Sequence, residues 1–251
     1  KTWKLQYCDL RPAVFLDSLA CLSITHCFAL GDPVDGKFLV LTTDDGEHWR
    51  ELPRDKMPET LVNEGAFAAS GTAIAACEDN SIFFGTGGSE SARIFRSPDG
   101  GRSWTALATP IPAGPTSGIF SIACEGRASA LVAVGGDYKS PDQAKRIAIH
   151  SGDGGKSWAV SEQQPGGYRS AVGSFSYGDF AAVGPNGTDI SHDGGVHWIH
   201  TDHLNLNAVS FANRAAGLVV AKLGTATLTP EELLRDDDSE PHRVVSRSEL
   251  A

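Results

Sequence analysis

The chain lacks several features that would identify a class of protein at once. Its 251 residues include one methionine and five cysteines, and the cysteines form no Cys-x-x-Cys pair. No apolar run approaches the roughly 18 to 20 residues of a membrane span, and no basic-then-apolar signal segment follows Lys1. We therefore expect no membrane insertion and find no signal peptide in this chain.

Basic residues are scarce relative to acidic ones. The 21 Lys and Arg face 31 Asp and Glu, for a formal net charge of −10. Nucleic-acid binding needs a basic surface to meet the phosphates, so nucleic acid is not an expected partner.

The sequence also lacks the residue spacings that are typical of metal and cofactor sites. The cysteines and the eight histidines show no zinc-ligand spacing, and no dinucleotide glycine pattern lies in a strand-helix unit. The sequence predicts no metal site and no cofactor. His200 and His203 flank a strand end as a weak pair, which we interpret as surface solvation.

One short pattern is repeated four times. Each copy places an acidic residue, glycine, a hydroxyl or histidine, and tryptophan within eight residues. The copies are Thr42–Trp49, Ser97–Trp104, Ser151–Trp158 and Ser191–Trp198. Their tryptophans are 55, 54 and 40 residues apart, near the roughly 40 to 50 residues of a four-stranded propeller blade. The spacing predicts an all-β propeller of four complete antiparallel blades and partial ones.

The chemistry of the repeated pattern is that of a tight turn. A short carboxylate accepts backbone N–H bonds, glycine supplies positive φ, and a large aromatic side chain is buried. Each copy offers one Asp without the further oxygen ligands of a calcium loop. The expected structural residues are Asp44, Gly46, Trp49, Asp99, Gly101, Trp104, Asp153, Gly155, Trp158, Asp193, Gly195 and Trp198.

The pattern also predicts the domain organisation. Residues 1–228 form the propeller, whose second blade is expected to begin with a strand over Gly65–Ala69 and whose fifth begins at Leu206. Residues 229–251 are expected to form a short helix and a disordered acidic tail. Lys1-Thr2-Trp3 matches the end of another copy, so we expect the chain to be a fragment that starts inside a motif.

The repeated pattern resembles the Asp-box, or bacterial neuraminidase repeat, of sialidase-like propellers. Ser97–Trp104 and Ser151–Trp158 fit every position, whereas the other two copies carry His48 and His197 at the hydroxyl position. The resemblance implies a ring of six or seven blades, of which this chain would be part. The unprotected edge strands of an incomplete ring favour association.

Two phrases are similar to a bacterial group related to the photosystem II stability/assembly factor, namely Asp44–Trp49 and Gly166–Val172. That resemblance implies a non-catalytic binding or assembly scaffold, exported to the periplasm or secreted. Its partner would be a protein or a carbohydrate. The alternative is a sialidase-like glycoside hydrolase, which would need an arginine cluster, a Tyr activated by Glu and an acidic acid/base.

Five polar residues lie at or near the starts of predicted innermost strands, where successive blades converge on the channel mouth. They are Asp17, Glu64, Tyr168, Arg169 and Asn205. One hypothesis is that these groups line the mouth and bind a partner segment or small ligand. The other is that they cap strand ends and satisfy one another. No catalytic residue is assigned.

Two structural alternatives stay open from the sequence. Lys1–Tyr7 could pair with Leu206–Thr227 as a missing fourth strand and close a five-bladed ring. Cys21 and Cys27 end one predicted strand and begin the next, so they could form a disulfide across a hairpin or remain buried free thiols.

Overall fold

The structure, a computed structural model, describes residues 2–213, 216–221 and 224–228. Within these ranges, nineteen strands form five antiparallel sheets, and neighbours in each sheet are consecutive in the chain. No helix in the described ranges is long and apolar enough to cross a membrane. The predicted helix and acidic tail at 229–251 lie outside the described residues.

Four sheets have four strands each, ordered from the innermost strand outward. Sheet 1 contains β1 (Leu16–Cys21), β2 (Cys27–Val34), β3 (Lys37–Thr43) and β4 (Arg50–Glu51). Sheet 2 contains β5 (Ile74–Ala76), β6 (Ile82–Gly85), β7 (Arg93–Ser97) and β8 (Thr105–Ala108). Sheet 3 contains β9 (Ser117–Glu125), β10 (Ala130–Asp137), β11 (Ala148–Ser151) and β12 (Ala159–Val160). Sheet 4 contains β13 (Ala171–Ser176), β14 (Asp179–Gly184), β15 (Gly187–Ser191) and β16 (Ile199–Asp202).

The fifth sheet has three described strands. They are β17 (Leu206–Asn213), β18 (Ala216–Ala221) and β19 (Gly224–Leu228). Residues 2–15 contribute no strand to it, so the five-bladed closure through Lys1–Tyr7 is not observed in the described part of the chain. Those residues lie instead against sheet 1, where Gln6 Nε2 donates to the carbonyl oxygen of Gly46 at 2.8 Å.

Apolar residues between successive sheets form the core. The predominantly apolar inner strands are buried on both faces because each sheet packs against the next. Between sheets 1 and 2, Phe38 meets Phe84 edge-on at 5.0 Å and Phe84 stacks on Phe95 at 4.6 Å. Between sheets 3 and 4, Val132 and Trp198 belong to one buried cluster.

Hydroxyl groups on or beside the innermost strands tie neighbouring sheets together. The bonds are Ser18 Oγ to Gly71 O (2.7 Å), Thr72 Oγ1 to Ser121 Oγ (2.6 Å), Val172 N to Ser121 Oγ (2.9 Å) and Ser170 Oγ to Asn207 O (2.8 Å). We call these bonds the inner hydroxyl ties. Backbone hydrogen bonds between the same sheets accompany them, such as Ile122 N to Thr72 O at 3.0 Å and Ile119 N to Thr86 O at 3.1 Å.

The predicted first strand of the second blade is wrong. Gly65–Ala69 was expected, but β5 starts at Ile74, and of the predicted segment only Gly65 forms an isolated bridge, to Gly87. Phe67 explains the displacement. Its ring lies so close to Gly87 that a Cβ there would approach Phe67 Cε2 to 2.5 Å, and it stacks on Phe120 of sheet 3.

The structure contains two disulfides, one within sheet 1 and one between sheets. Cys21 and Cys27 are directly opposite in the β1–β2 hairpin and are bonded, which decides between the two alternatives. The second disulfide, Cys77–Cys124, links the end of β5 to β9 and therefore crosses from sheet 2 to sheet 3. Cys8 carries an exposed free thiol.

Candidate functional site

The four repeated turns, which we call the carboxylate turns, lie at one end of the sheets. In Ser151–Trp158, Asp153 Oδ1 accepts the amides of Lys156 and Ser157 at 2.9 and 3.0 Å, and Oδ2 accepts the Ser157 hydroxyl at 2.6 Å. The Ser157 hydroxyl and amide lower the pKa of Asp153. Asp99 and Asp193 occupy the same place in their turns. The geometry is that of a folding element.

Histidine replaces the hydroxyl donor in two turns. His197 Nδ1 lies 2.7 Å from Asp193 Oδ2, where Ser157 supplies its hydroxyl in the third turn. His48 makes the same contact in the first turn. Glycines Gly46, Gly101, Gly155 and Gly195 have positive φ. Trp104 and Trp198 are buried, but Trp49 and Trp158 are only partly so.

The carboxylate of the first turn is Asp45, which corrects the assignment to Asp44. Asp45 Oδ1 accepts the amides of Glu47 and His48 at 2.8 and 2.7 Å. Asp44 is exposed and bonds instead to Arg50 at 2.7 Å. The turn is one residue shorter than the others, so counting eight residues to the tryptophan selected the first of two adjacent aspartates.

The opposite end of the sheets, which we call the loop end, carries the starts of the innermost strands. There Asp137 at the end of β10 pairs with Ser117 at the start of β9. Glu64 lies at the loop end, where its carboxylate accepts several hydrogen bonds. Its side chain is fully buried and accepts from Arg93, from the Thr86 hydroxyl at 2.7 Å and from the Leu61 amide at 2.9 Å.

Arg169 is likewise engaged within its own sheet. Its side chain and that of Asp189 are 0% and 1% exposed, and the two form an ion pair. Arg169 also donates to the Asn186 side chain and to the Tyr168 carbonyl oxygen. Burial acts to lower the pKa of Arg169, against the opposing effect of Asp189.

The other two residues near the β13 and β17 starts differ in exposure. Tyr168 is buried, and its ring meets Phe120 edge-on at 4.8 Å. Burial raises the pKa of the Tyr168 hydroxyl. No hydrogen bond joins that hydroxyl to a carboxylate in the part of the chain that the structure describes. Asn205 is exposed just before β17.

Asp17 is the least satisfied of the five. It lies at a register shift in β1, is 7% exposed, and its Oδ2 atom has no hydrogen-bond partner among the described residues. Burial and the nearby Asp32 carboxylate raise the pKa of Asp17 to about 7. Asp32 itself accepts the Ala66 amide at 3.3 Å. Among the contacts that the structure describes, neither Asp17 nor Asp32 has a cationic side chain as a partner.

Tyr168 and Arg169 lie together before β13, whereas Glu64 contacts residues of sheet 2. Glu64 and Arg169 are each satisfied by side chains of their own sheet, as the strand-capping hypothesis describes. A role for the five residues in binding remains a prediction.

An aromatic cluster at the loop end was missed by the sequence analysis. It consists of Phe67, Phe120, Tyr138 and Tyr168. Phe67 stacks on Phe120 with centroids 3.9 Å apart, and Phe120 meets Tyr138 at 6.2 Å. Tyr138 is 46% exposed. Its only sequence signal was its place in the polar loop after β10, whereas Phe67 was assigned to a strand.

No protein-family model matches the chain, and no curated protein matches it by sequence. A Dyadobacter fermentans protein of unknown function is similar in structure, with a TM-score of 0.53 and 14% identity over 94% of this chain and 84% of that one. A GH74 enzyme from Niastella koreensis matches at a TM-score of 0.47 and 12% identity over 84% of this chain. The chain spans 44% of that enzyme's length.

A structure described as YCF48 bound to D1 peptide matches at a TM-score of 0.45 and 15% identity, over 90% of this chain and 79% of that one. At such identities a structural likeness carries the fold and not the activity. The five consecutive antiparallel sheets form an all-β propeller-type fold, which confirms the fold class predicted from the tryptophan spacing.

Proposed function

We propose that this protein is a non-catalytic binding or assembly scaffold of the Asp-box propeller type, and that it binds a partner protein at its loop end. The observation that carries the proposal is the aromatic cluster. Tyr138 is partly exposed against the buried Phe120 ring, so a rigid aromatic side chain is available to a partner. Aromatic residues of this kind are enriched among those that dominate binding energy at interfaces.

Two arginines at the loop end support binding over hydrolysis. A sialidase-like hydrolase would use arginines free to clamp a carboxylate. Arg169 is fully buried against Asp189, and Arg93 is held by Glu64. Tyr168 packs against Phe120 and not against a glutamate in the contacts described. These side chains are therefore engaged in contacts within the scaffold.

The two disulfides support a location outside the cytoplasm. Stable disulfides are typical of oxidising compartments, and the chain carries two, Cys21–Cys27 within sheet 1 and Cys77–Cys124 between sheets 2 and 3. We extend the proposal to a periplasmic or secreted protein of a bacterium. Labelling of thiols in cells of the source organism tests this, because cytoplasmic protein would carry reduced cysteines.

The binding test uses a photo-crosslinking amino acid at Tyr138, with Tyr177 as the matched control. Tyr177 is 74% exposed in the β13–β14 turn at the opposite end of sheet 4. We expect one protein to be crosslinked in source cells from position 138 and not from 177. Equal crosslinking from both positions, or none from 138, would overturn the proposed surface.

Two further assays separate the alternatives. Turnover of fluorogenic glycosides that is lost in an Asp17→Asn variant would favour the sialidase-like hydrolase. Binding of an oligosaccharide that is lost in Tyr138→Ser, but retained in Tyr177→Ser, would replace the protein partner by a carbohydrate.

A further inference from the structure

His200 and His203 come together at the loop end of sheet 4. His200 Nε2 lies 3.2 Å from His203 Nδ1. The His200 side chain is 32% exposed and His203 is exposed, so both nitrogens lie near solvent. The two nitrogens are within hydrogen-bond distance of each other, a contact that surface solvation alone does not require.

A buried carboxylate orients the inner histidine. His200 Nδ1 lies 3.1 Å from Asp189 Oδ1, and Asp189 is fixed by its ion pair with Arg169. A carboxylate in this position accepts the Nδ1–H of neutral imidazole and leaves the Nε2 lone pair available. That lone pair then faces His203. The ring also requires glycine beside it, since a Cβ at Gly187 would lie 2.4 Å from His200 Cε1.

We propose that His200 and His203 bind a divalent transition-metal ion, with Asp189 as the outer carboxylate that orients His200. Metal–nitrogen bonds of about 2.1 Å at angles of about 90 to 109° separate two nitrogens by about 3.0 to 3.4 Å. The 3.2 Å between His200 Nε2 and His203 Nδ1 falls in this interval. A carboxylate–histidine–metal arrangement is the usual surrounding of a metal-binding imidazole.

The chain supplies two ligands and leaves the other positions open. No group of three or more His, Cys, Asp or Glu side chains among the described residues is placed to hold a metal. Water or a donor from a bound molecule would complete the coordination. Imidazole suits Cu²⁺, Ni²⁺ and Zn²⁺, and Cu²⁺ binds most tightly of these. The proposal does not depend on the scaffold function.

The test titrates Cu²⁺ into the untagged full chain carrying Cys8→Ser, which removes the one free thiol. Calorimetry gives the affinity, and electron paramagnetic resonance gives the number of coordinating nitrogens. We expect one Cu²⁺ with two imidazole ligands. In His203→Gln the Kd should rise at least about tenfold, because the loss of an outer partner alone costs about that much.

His192→Gln is the matched control. His192 is an exposed histidine within the carboxylate turn of the same sheet, where it contacts Asp179. It should leave the Cu²⁺ affinity unchanged. Unaltered affinity in His203→Gln, or a single coordinating nitrogen in the starting protein, would overturn the proposal and leave a hydrogen-bonded histidine pair. His203 is exposed, so this variant is expected to fold, and its melting curve checks that.

Discussion

Arg169 and Asp189 form an ion pair across sheet 4 that is almost wholly shielded from water. Arg169 precedes β13 and Asp189 lies in β15, so the pair spans the intervening strand β14. Asp189 also accepts the Gly166 amide at 3.1 Å. Two buried charges are tolerated here because each has a partner and further hydrogen bonds.

Removal of one charge from this pair should be strongly destabilising. Asp189→Asn leaves the buried guanidinium of Arg169 without its counter-charge, and we expect a loss of about 3 to 5 kcal/mol in the free energy of unfolding. Urea unfolding measures it. Glu162→Gln is the control, since that side chain is 74% exposed, and it should cost no more than about 1 kcal/mol. Equal losses in both variants would contradict the shielded pair.

The corrected first carboxylate turn can be checked with two adjacent residues. Asp45→Ala removes the acceptor of the Glu47 and His48 amides, whereas Asp44→Ala removes a surface contact to Arg50. We therefore expect a lower Tm for Asp45→Ala than for Asp44→Ala. Thermal unfolding of the two variants decides it, and the reverse order would restore the eight-residue alignment of this turn.

The pH dependence of stability should report on Asp17. Its folded pKa of about 7 lies above the ordinary value of about 3.9, so the proton is bound more tightly in the folded state. This contribution is fully present below about pH 4 and is lost as the pH rises towards 7. Asp17→Asn should therefore flatten the decline of Tm between pH 4.5 and 8.

Asp55→Asn serves as the control for that profile because Asp55 is exposed. It should follow the starting protein across the whole pH range. Parallel profiles for Asp17→Asn and the starting protein would show that the Asp17 carboxyl does not titrate as its burial implies.

The two disulfides should differ in their effect on stability. They close segments with sequence separations of 47 residues for Cys77–Cys124 and 6 for Cys21–Cys27. In the chain-entropy account, closing the longer loop stabilises the folded state by about 2 kcal/mol more than closing the shorter one. Replacing both cysteines of each pair by serine, followed by urea unfolding, compares them. A larger loss for the Cys21–Cys27 pair would contradict loop closure as the main cause.

Local spacing was sufficient to predict the succession of four-stranded sheets and the places of their turns, although not the first strand of sheet 2. A carboxylate, a glycine and a tryptophan at fixed intervals specify a turn by hydrogen bonds within a few residues, so the sequence carries the information directly. The same locality explains the error at Asp44, because two adjacent aspartates fit the spacing equally well and only the hydrogen bonds of Asp45 distinguish them.

Features that depend on contacts between sheets could not be predicted in this way. Cys77 and Cys124 lie in different sheets, and no local signal joins them. The local sequence around Phe67 predicts a strand, but in the structure its ring stacks on Phe120 of the next sheet. The partners of Glu64 and Arg169 lie in the same sheets as these residues, but 29 and 20 residues away in the sequence, beyond the reach of a local pattern. Tertiary packing overrides local strand preference at such positions.

The inner hydroxyl ties imply unequal freedom for sequence change along each sheet. Ser121 bonds to Thr72 on one side and to Val172 on the other, so a substitution there disturbs three sheets at once. The outer strands β4 and β12 are two residues long and exposed or partly exposed. Insertions and substitutions in these two outer strands should therefore be tolerated more readily than replacement of Ser121, whose hydroxyl contacts a neighbouring sheet on each side.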